Sequence, residues 1–196
     1  LMNTVSGLII DTRIKEQRKG GERITLYGKV AFNGEDITEM HPSERVKRGL
    51  VLCRERHPIF PESDLVENLK IAGYLKSSAE VRDRIEYVFE LFPTLVRLKS
   101  RKAGFLSGGE QQMLTIGMAL IVKPKMLLLD EPLLGLSPVM QTTLVEAIKK
   151  IRTETGLTIL ITEQFARPIL PMIDHGYIME NGMLTMEGPG IGLMEN

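Results

Sequence analysis

The chain has 196 residues, 43% of them hydrophobic and 26% charged, which suits a single soluble globular domain with a core of its own. Lys plus Arg and Asp plus Glu both number 25, so no basic excess points to nucleic acid and no acidic tail is present. Cys53 is the only cysteine, excluding an internal disulfide or a cysteine metal cluster, and no apolar run approaches the roughly 18 residues needed to span a bilayer.

Any membrane contact is therefore expected through a membrane partner. No secretory signal is visible, which makes the cytosol the default compartment. The chain opens on Leu-Met-Asn-Thr-Val-Ser-Gly-Leu-Ile and not on an initiator Met, so a fragment boundary is expected there. His41, His57 and His175 are scattered and read as surface or packing residues.

Residues 11–23 are polar and end in Gly20-Gly21, predicting a solvated loop, with a partner site as the weaker alternative. Ile24–Phe32 alternates loosely before Asn33-Gly34, a hairpin turn signal. Pro42 opens a helix to Arg48, Gly49 stops it, and Leu50–Cys53 is a short apolar strand. The pairs Asp64/Glu67 and Ser77/Glu80 both have capping-box spacing. Val81, Ile85, Val88, Phe89 and Phe92 share one helical face, which Pro93 terminates.

A helix is predicted from about Gly109 to Val122, then a strand at Met126–Leu129 apolar enough to be buried on both faces. Ser137-Pro138 opens a helix to about Ile151, and Gly156 precedes a strand at Leu157–Thr162. Pro168 and Pro171 interrupt the next helical segment, which must either kink or start late. Gly176–Glu180, Asn181-Gly182 and Met183–Glu187 form a hairpin. Strands alternating with helices predict an α/β fold with a mostly parallel sheet.

Two segments carry chemistry. Leu106-Ser107-Gly108-Gly109-Glu110-Gln111-Gln112 places Ser107 at a helix N-cap and Glu110 three residues on, a third capping box. The same geometry suits an anion: free amides and the positive dipole end meet a phosphate, and two glycines allow close approach. Met126–Pro132 is an apolar strand running into Asp130-Glu131. Carboxylates there fall at the strand's carboxyl end, where open α/β sheets bind ligands. No Gly-Lys-Ser/Thr occurs anywhere, so the loop that cradles phosphates elsewhere is missing.

In this order, one helix apart, the two segments resemble the signature and Walker B motifs of ABC-transporter ATPase subunits. Over nearly its whole length the chain is most similar to the branched-chain (hydrophobic) amino-acid importer type. Leu1–Ile9 resembles the helix after the family's Gly-Lys-Thr-Thr, and Val30–Thr38 its strand-turn-strand. Phe60-Pro61 with Glu67-Asn68-Leu69 resembles the link into its helical subdomain, Leu133–Pro138 its D-loop and Gly176–Gly188 its closing hairpin. Glu55 stands at the Q-loop position, Gln164 at the switch-His position and Ser137 at the D-loop Asp. The first two resemble the importer subfamily. Arg54 and Arg56 flank Glu55 where Pro and Gly are usual, and Met118 replaces a usual Arg.

The resemblance implies a P-loop NTPase-type α/β fold, N-terminally truncated. It would be one incomplete ABC ATPase domain over 1–196 with an inserted helical subdomain at 64–105. ATP and Mg²⁺ are the implied ligands. Ser107, Gly108, Gly109, Glu110 and Gln111 would meet phosphate, and Asp130 would hold Mg²⁺ through water. Glu131 would deprotonate the attacking water, Gln164 would hydrogen-bond that water or the γ-phosphate, and Glu55 would approach the phosphate site and Mg²⁺ or its waters. Implied partners are a second ABC ATPase subunit, the same or different, and integral membrane permease subunits at the cytoplasmic face. Without its phosphate loop the chain alone is expected to be inactive. Two alternatives are a degenerate nonhydrolytic subunit, which would have no need of Glu131, and a non-transport ABC ATPase, which would bring a coiled-coil insertion or tandem cassettes.

Overall fold

A computed structural model describes residues 1–55 and 58–194. A short helix α1 (Met2–Val5) leads into α2 (Leu8–Lys19), which corrects the loop expected over 11–23. Lys15, Glu16, Gln17, Arg18 and Lys19 are polar but straight-chain, and lose little side-chain freedom in a helix. Gly20 then ends the helix with φ 66°, the left-handed conformation that frees its N–H for the last carbonyls. The polarity indicated exposure and said nothing about conformation.

The strand expected over Ile24–Phe32 shortens to β1 (Ala31–Phe32), paired antiparallel with β2 (Glu35–Asp36). Asn33 and Gly34 between them have φ of 51° and 79°, as the two-residue hairpin turn requires. Residues 24–30 are irregular, because no described strand lies beside them to form a ladder.

Helix α3 (Pro42–Lys47) and strand β3 (Leu50–Cys53) follow as predicted. Arg45 of α3 is buried and donates to the carbonyls of Thr4, Val5, Thr38 and Met40, tying the end of α1 to the segment before α3. These four acceptors satisfy a charge that would otherwise be costly to bury.

Next come α4 (Leu65–Ala72), α5 (Ser78–Leu91), α6 (Pro93–Val96), a 3₁₀ turn at Ala103–Phe105 and α7 (Gly108–Ile121). Strand β4 (Met126–Asp130), α8 (Pro138–Thr155) and β5 (Thr158–Thr162) continue the alternation. The chain closes with a 3₁₀ turn at Leu170–Met172, β6 (Gly176–Glu180), β7 (Met183–Gly188) and α9 (Gly190–Leu193). That 3₁₀ turn is all the helix that forms between Gln164 and β6: Pro168 and Pro171 remove two donors within four residues.

All three capping boxes form in both directions, at Asp64/Glu67, Ser77/Glu80 and Ser107/Glu110. Strands β3, β4 and β5 make a parallel sheet in that order, so β4 is central. Leu127, Leu128 and Leu129 are accordingly inaccessible to solvent, whereas Thr158 of the outer strand is exposed. Helix α7 packs on α4 and α5 with Gly117 at the crossing. A Cβ there would sit 2.8 Å from Val88 Cγ1, so only glycine permits this approach. The main core runs from Leu65 and Leu69 through Val88, Leu114 and Leu129 to Ile148 and Ile151.

Candidate functional site

The parallel register decides what meets at the carboxyl edge of the sheet. Leu129 lies opposite Cys53, and Asp130 opposite Thr162. The residues just beyond the three strands, Arg54-Glu55, Asp130-Glu131 and Glu163-Gln164, therefore emerge at one edge. Arg56 and His57 lie outside the described residues.

Within that edge the ends of β4 and β5 are bonded together. Thr162 Oγ1 donates to Asp130 Oδ1 at 2.7 Å, and Gln164 Nε2 donates to Glu131 Oε1 at 3.1 Å. The backbone N–H of Glu131 donates to the Thr162 carbonyl at 2.9 Å. Glu131 itself adopts φ 49°, a left-handed conformation that costs a non-glycine residue about 1–3 kcal/mol unless its surroundings impose it. Two residues further along the turn, Leu133 N–H donates to Glu163 Oε1 at 2.7 Å. Burial pushes the Glu163 carboxyl above the usual carboxylate range; the Leu133 N–H opposes the shift and the neighbouring Glu131 charge adds to it.

Among the described residues none of Glu55, Asp130, Glu131 and Glu163 is in an ion pair. Nor do three or more His, Cys, Asp or Glu side chains converge to hold a metal by themselves. The donor set is nonetheless right for a hard cation that keeps its waters: oxygen ligands, uncompensated negative charge, and Asp130 Oδ2 without a protein partner among the described residues. Glu55 is exposed in the turn after β3, on the same edge, with no bond to Asp130.

The signature segment stands apart. Ser107 and Gly108 are exposed at the start of α7, while Gly109 is buried against Met140 of α8. Ser107 N–H donates to Glu110 Oε2 at 2.8 Å, and Glu110 N–H donates back to Ser107 Oγ at 3.4 Å. Gln111 Nε2 reaches back to the carbonyls of Ala103 and Leu106, bracing the turn that enters the helix. Among the described residues no hydrogen bond joins residues 107–111 to 130–131 or 162–164. Ser107, Glu110 and Gln111 are thus bonded within one segment, and Asp130, Glu131 and Gln164 with the end of β5 in another.

Ser137 caps α8 by accepting the Met140 N–H, and Met118 packs against the main core. Three residues of the site were not singled out by sequence reasoning. Thr162 and Glu163 were passed over as strand-end polar residues. Gln141 Nε2 donates to the carbonyls of Leu133 and Leu136, repeating in α8 what Gln111 does in α7. The shared signal was available: a Gln four residues after a helix-capping Ser in both places.

A parallel sheet with paired acids at its central carboxyl edge, and a capped Ser-Gly-Gly-Glu helix, are the arrangement expected of an ABC-transporter ATPase subunit. The ABC transporter family profile matches residues 21–134, and the chain belongs to that family. Its kinship is with the branched-chain type. It is 37% identical over 169 residues to the high-affinity branched-chain amino acid transport ATP-binding protein BraG of Pseudomonas aeruginosa, covering 86% of this chain and 72% of that one. It is 38% identical to the probable branched-chain amino acid transport ATP-binding protein LivF of Archaeoglobus fulgidus, with the same coverage. A nucleotide-free ATP-binding cassette from an ABC transporter superposes with a TM-score of 0.79 at 27% identity, covering 99% of this chain and 76% of that one. The α/β cassette fold, nucleotide binding and ATP hydrolysis are those of the family. No helix among the described residues is long and apolar enough to cross a membrane.

Proposed function

We propose that the chain is the ATP-hydrolysing subunit of an importer for branched-chain amino acids. Two such subunits, alike or different, close on ATP at the cytoplasmic face of the membrane and drive permease subunits. The observation that carries this reading is the bonded carboxyl edge, where Thr162 orients Asp130 at 2.7 Å and Gln164 orients Glu131 at 3.1 Å. A general base is useful only when its lone pair is aimed, and here both acids are aimed by neutral side chains.

In this reading Asp130 and Glu55 are the residues that would hold Mg²⁺. The ion, when bound, neutralises charge on the β- and γ-phosphates. Glu131 takes the proton of the attacking water. Gln164 cannot titrate, so its part is orientation: one amide hydrogen bonds Glu131 and the other is free for water or phosphate. In a head-to-tail pair each signature helix would face the terminal phosphate of its partner's nucleotide, and the exposed Ser107 and Gly108 at the start of α7 are open to such a contact. The helices within 64–105 form the subdomain that moves on closure and meets the permease. The substrate class rests on the relatives, since a nucleotide-binding subunit does not touch the cargo.

The chain contains no Gly-Lys-Ser/Thr, and the 196 residues alone are expected to bind ATP weakly and not to hydrolyse it. The test uses the chain extended at its N-terminus with a phosphate-binding loop. Glu131→Gln should form ATP-dependent dimers with no turnover, and unchanged hydrolysis would remove Glu131 from the mechanism. Mg²⁺-dependent phosphate release from the 196-residue chain, abolished by Glu131→Gln, would overturn the requirement for the loop. Reconstitution with the permease and a screen of amino acids tests the cargo.

A further inference from the structure

We infer that Glu163 is a positioning residue for ATP hydrolysis: by accepting the Leu133 N–H it fixes the turn that carries Glu131, and with it the aim of the base. This rests on the role given to Glu131 above.

The turn from Asp130 to Leu133 is not held by its own preferences, since Glu131 sits at φ 49° without being glycine. It is held by the end of β5, where three consecutive residues each grip a different part. Thr162 takes the Asp130 side chain through its hydroxyl and the Glu131 N–H through its carbonyl. Gln164 takes the Glu131 side chain, and Glu163 takes the Leu133 backbone. Leu133 is the pivot. Its side chain is buried in the main core, and its carbonyl receives Gln141 from α8. Removing the Glu163 acceptor frees one side of that pivot two residues from the base, and a shift there of a fraction of an ångström changes where Glu131 points.

What Glu163 supplies is an oxygen at a fixed reach. Charge is not needed for it, and the Glu131 carboxylate nearby works against a second negative charge. Gln, with its carbonyl oxygen at the same distance from the backbone, should therefore substitute. Asp keeps the charge but draws the oxygen back by one methylene, and should not.

The experiment measures ATP hydrolysis in the chain extended at its N-terminus with a phosphate-binding loop, for Glu163→Met, Glu163→Gln and Glu163→Asp, with Glu131→Gln as control. Met and Asp should lower kcat by roughly tenfold to a hundredfold with KM for ATP within about twofold, and Gln should stay within about threefold of the parent. A second readout, amide exchange at Leu133 in the 196-residue chain, should speed up by about tenfold or more for Met and Asp and stay unchanged for Gln. Active Asp beside inactive Gln would show that charge matters and would overturn the inference. So would Met with full kcat, or Met with raised KM and full kcat. If the Met variant does not fold, the Gln and Asp pair decides. Hydrolysis that persists in Glu131→Gln defeats the functional reading itself. Hydrolysis that needs Glu131 but ignores Glu163 defeats only this inference.

Discussion

Replacing Asn68 by alanine should destabilise the chain by about 2–6 kcal/mol, and the structure shows where that figure comes from. Asn68 lies in the first turn of α4 and is inaccessible to solvent. Its Oδ1 accepts the Phe60 N–H at 2.7 Å, and its Nδ2 donates to the carbonyls of Phe60 at 3.0 Å and Asp64 at 2.9 Å, sharing a hydrogen with the Ser63 carbonyl at the longer distance of 3.4 Å. After truncation the two carbonyls keep a partner, because Ser63 N–H already donates to Phe60 and Asn68 N–H to Asp64. The Phe60 N–H keeps none among the described residues. One orphaned donor costs about 1–3 kcal/mol, and the two other lost bonds about 0.5–1.5 kcal/mol each. At about 2–4 °C per kcal/mol for a domain of this size, Tm should fall by roughly 10 °C. Asn68→Asp should be worse, since it keeps the acceptor but turns a charged oxygen toward two carbonyls. Urea titration checks both: the midpoint should fall in the order Asn, Ala, Asp with the slope unchanged. A loss below about 1 kcal/mol for Ala, or an Asp variant milder than Ala, would refute the view that this side chain organises the loop between the site edge and α4.

Ser107→Ala should cost about 0.5–1 kcal/mol, the low end for an N-cap because the bond to Glu110 N–H is long at 3.4 Å. Ser107→Asp should keep the cap and its stability yet abolish ATP-dependent dimerisation of the loop-extended chain by placing negative charge against phosphate, so that melting and light scattering on the two variants separate cap from phosphate contact. Burial pushes the Cys53 thiol up to about 12, leaving almost no thiolate at pH 8. Alkylation of Cys53 by iodoacetamide should therefore track global unfolding as urea is raised, and rapid labelling of native protein would contradict its burial against Thr115.

What the sequence disclosed was what local chemistry decides. The three capping boxes are reciprocal bonds across three residues, complete within their own segments, and all of them form. Strand β4 was legible because an unbroken Met-Leu-Leu-Leu run suits only a strand covered on both faces. Where a neighbour decides, the sequence was silent. Ile24–Val30 has strand-like alternation but no described partner strand, and stays irregular; Leu8–Lys19 needs no partner, and becomes helix despite its charge. The site divides in the same way. Asp130, Glu131 and Gln164 announced themselves as residue types in a motif. Thr162 and Glu163 acquire their roles only from the register that sets Asp130 beside Thr162, a relation between segments some thirty residues apart. Beyond that register the chain leaves the strand: β5 ends at Thr162, and Glu163 and Gln164 take their partners from the segment that follows, Gln164 the Glu131 side chain and Glu163 the Leu133 backbone. A single deletion within Thr158–Thr162 would draw these residues back by one position along β4 and break the contacts together, so the spacing from Gly156 to Gln164 matters to the site as much as the identities of the residues at its end.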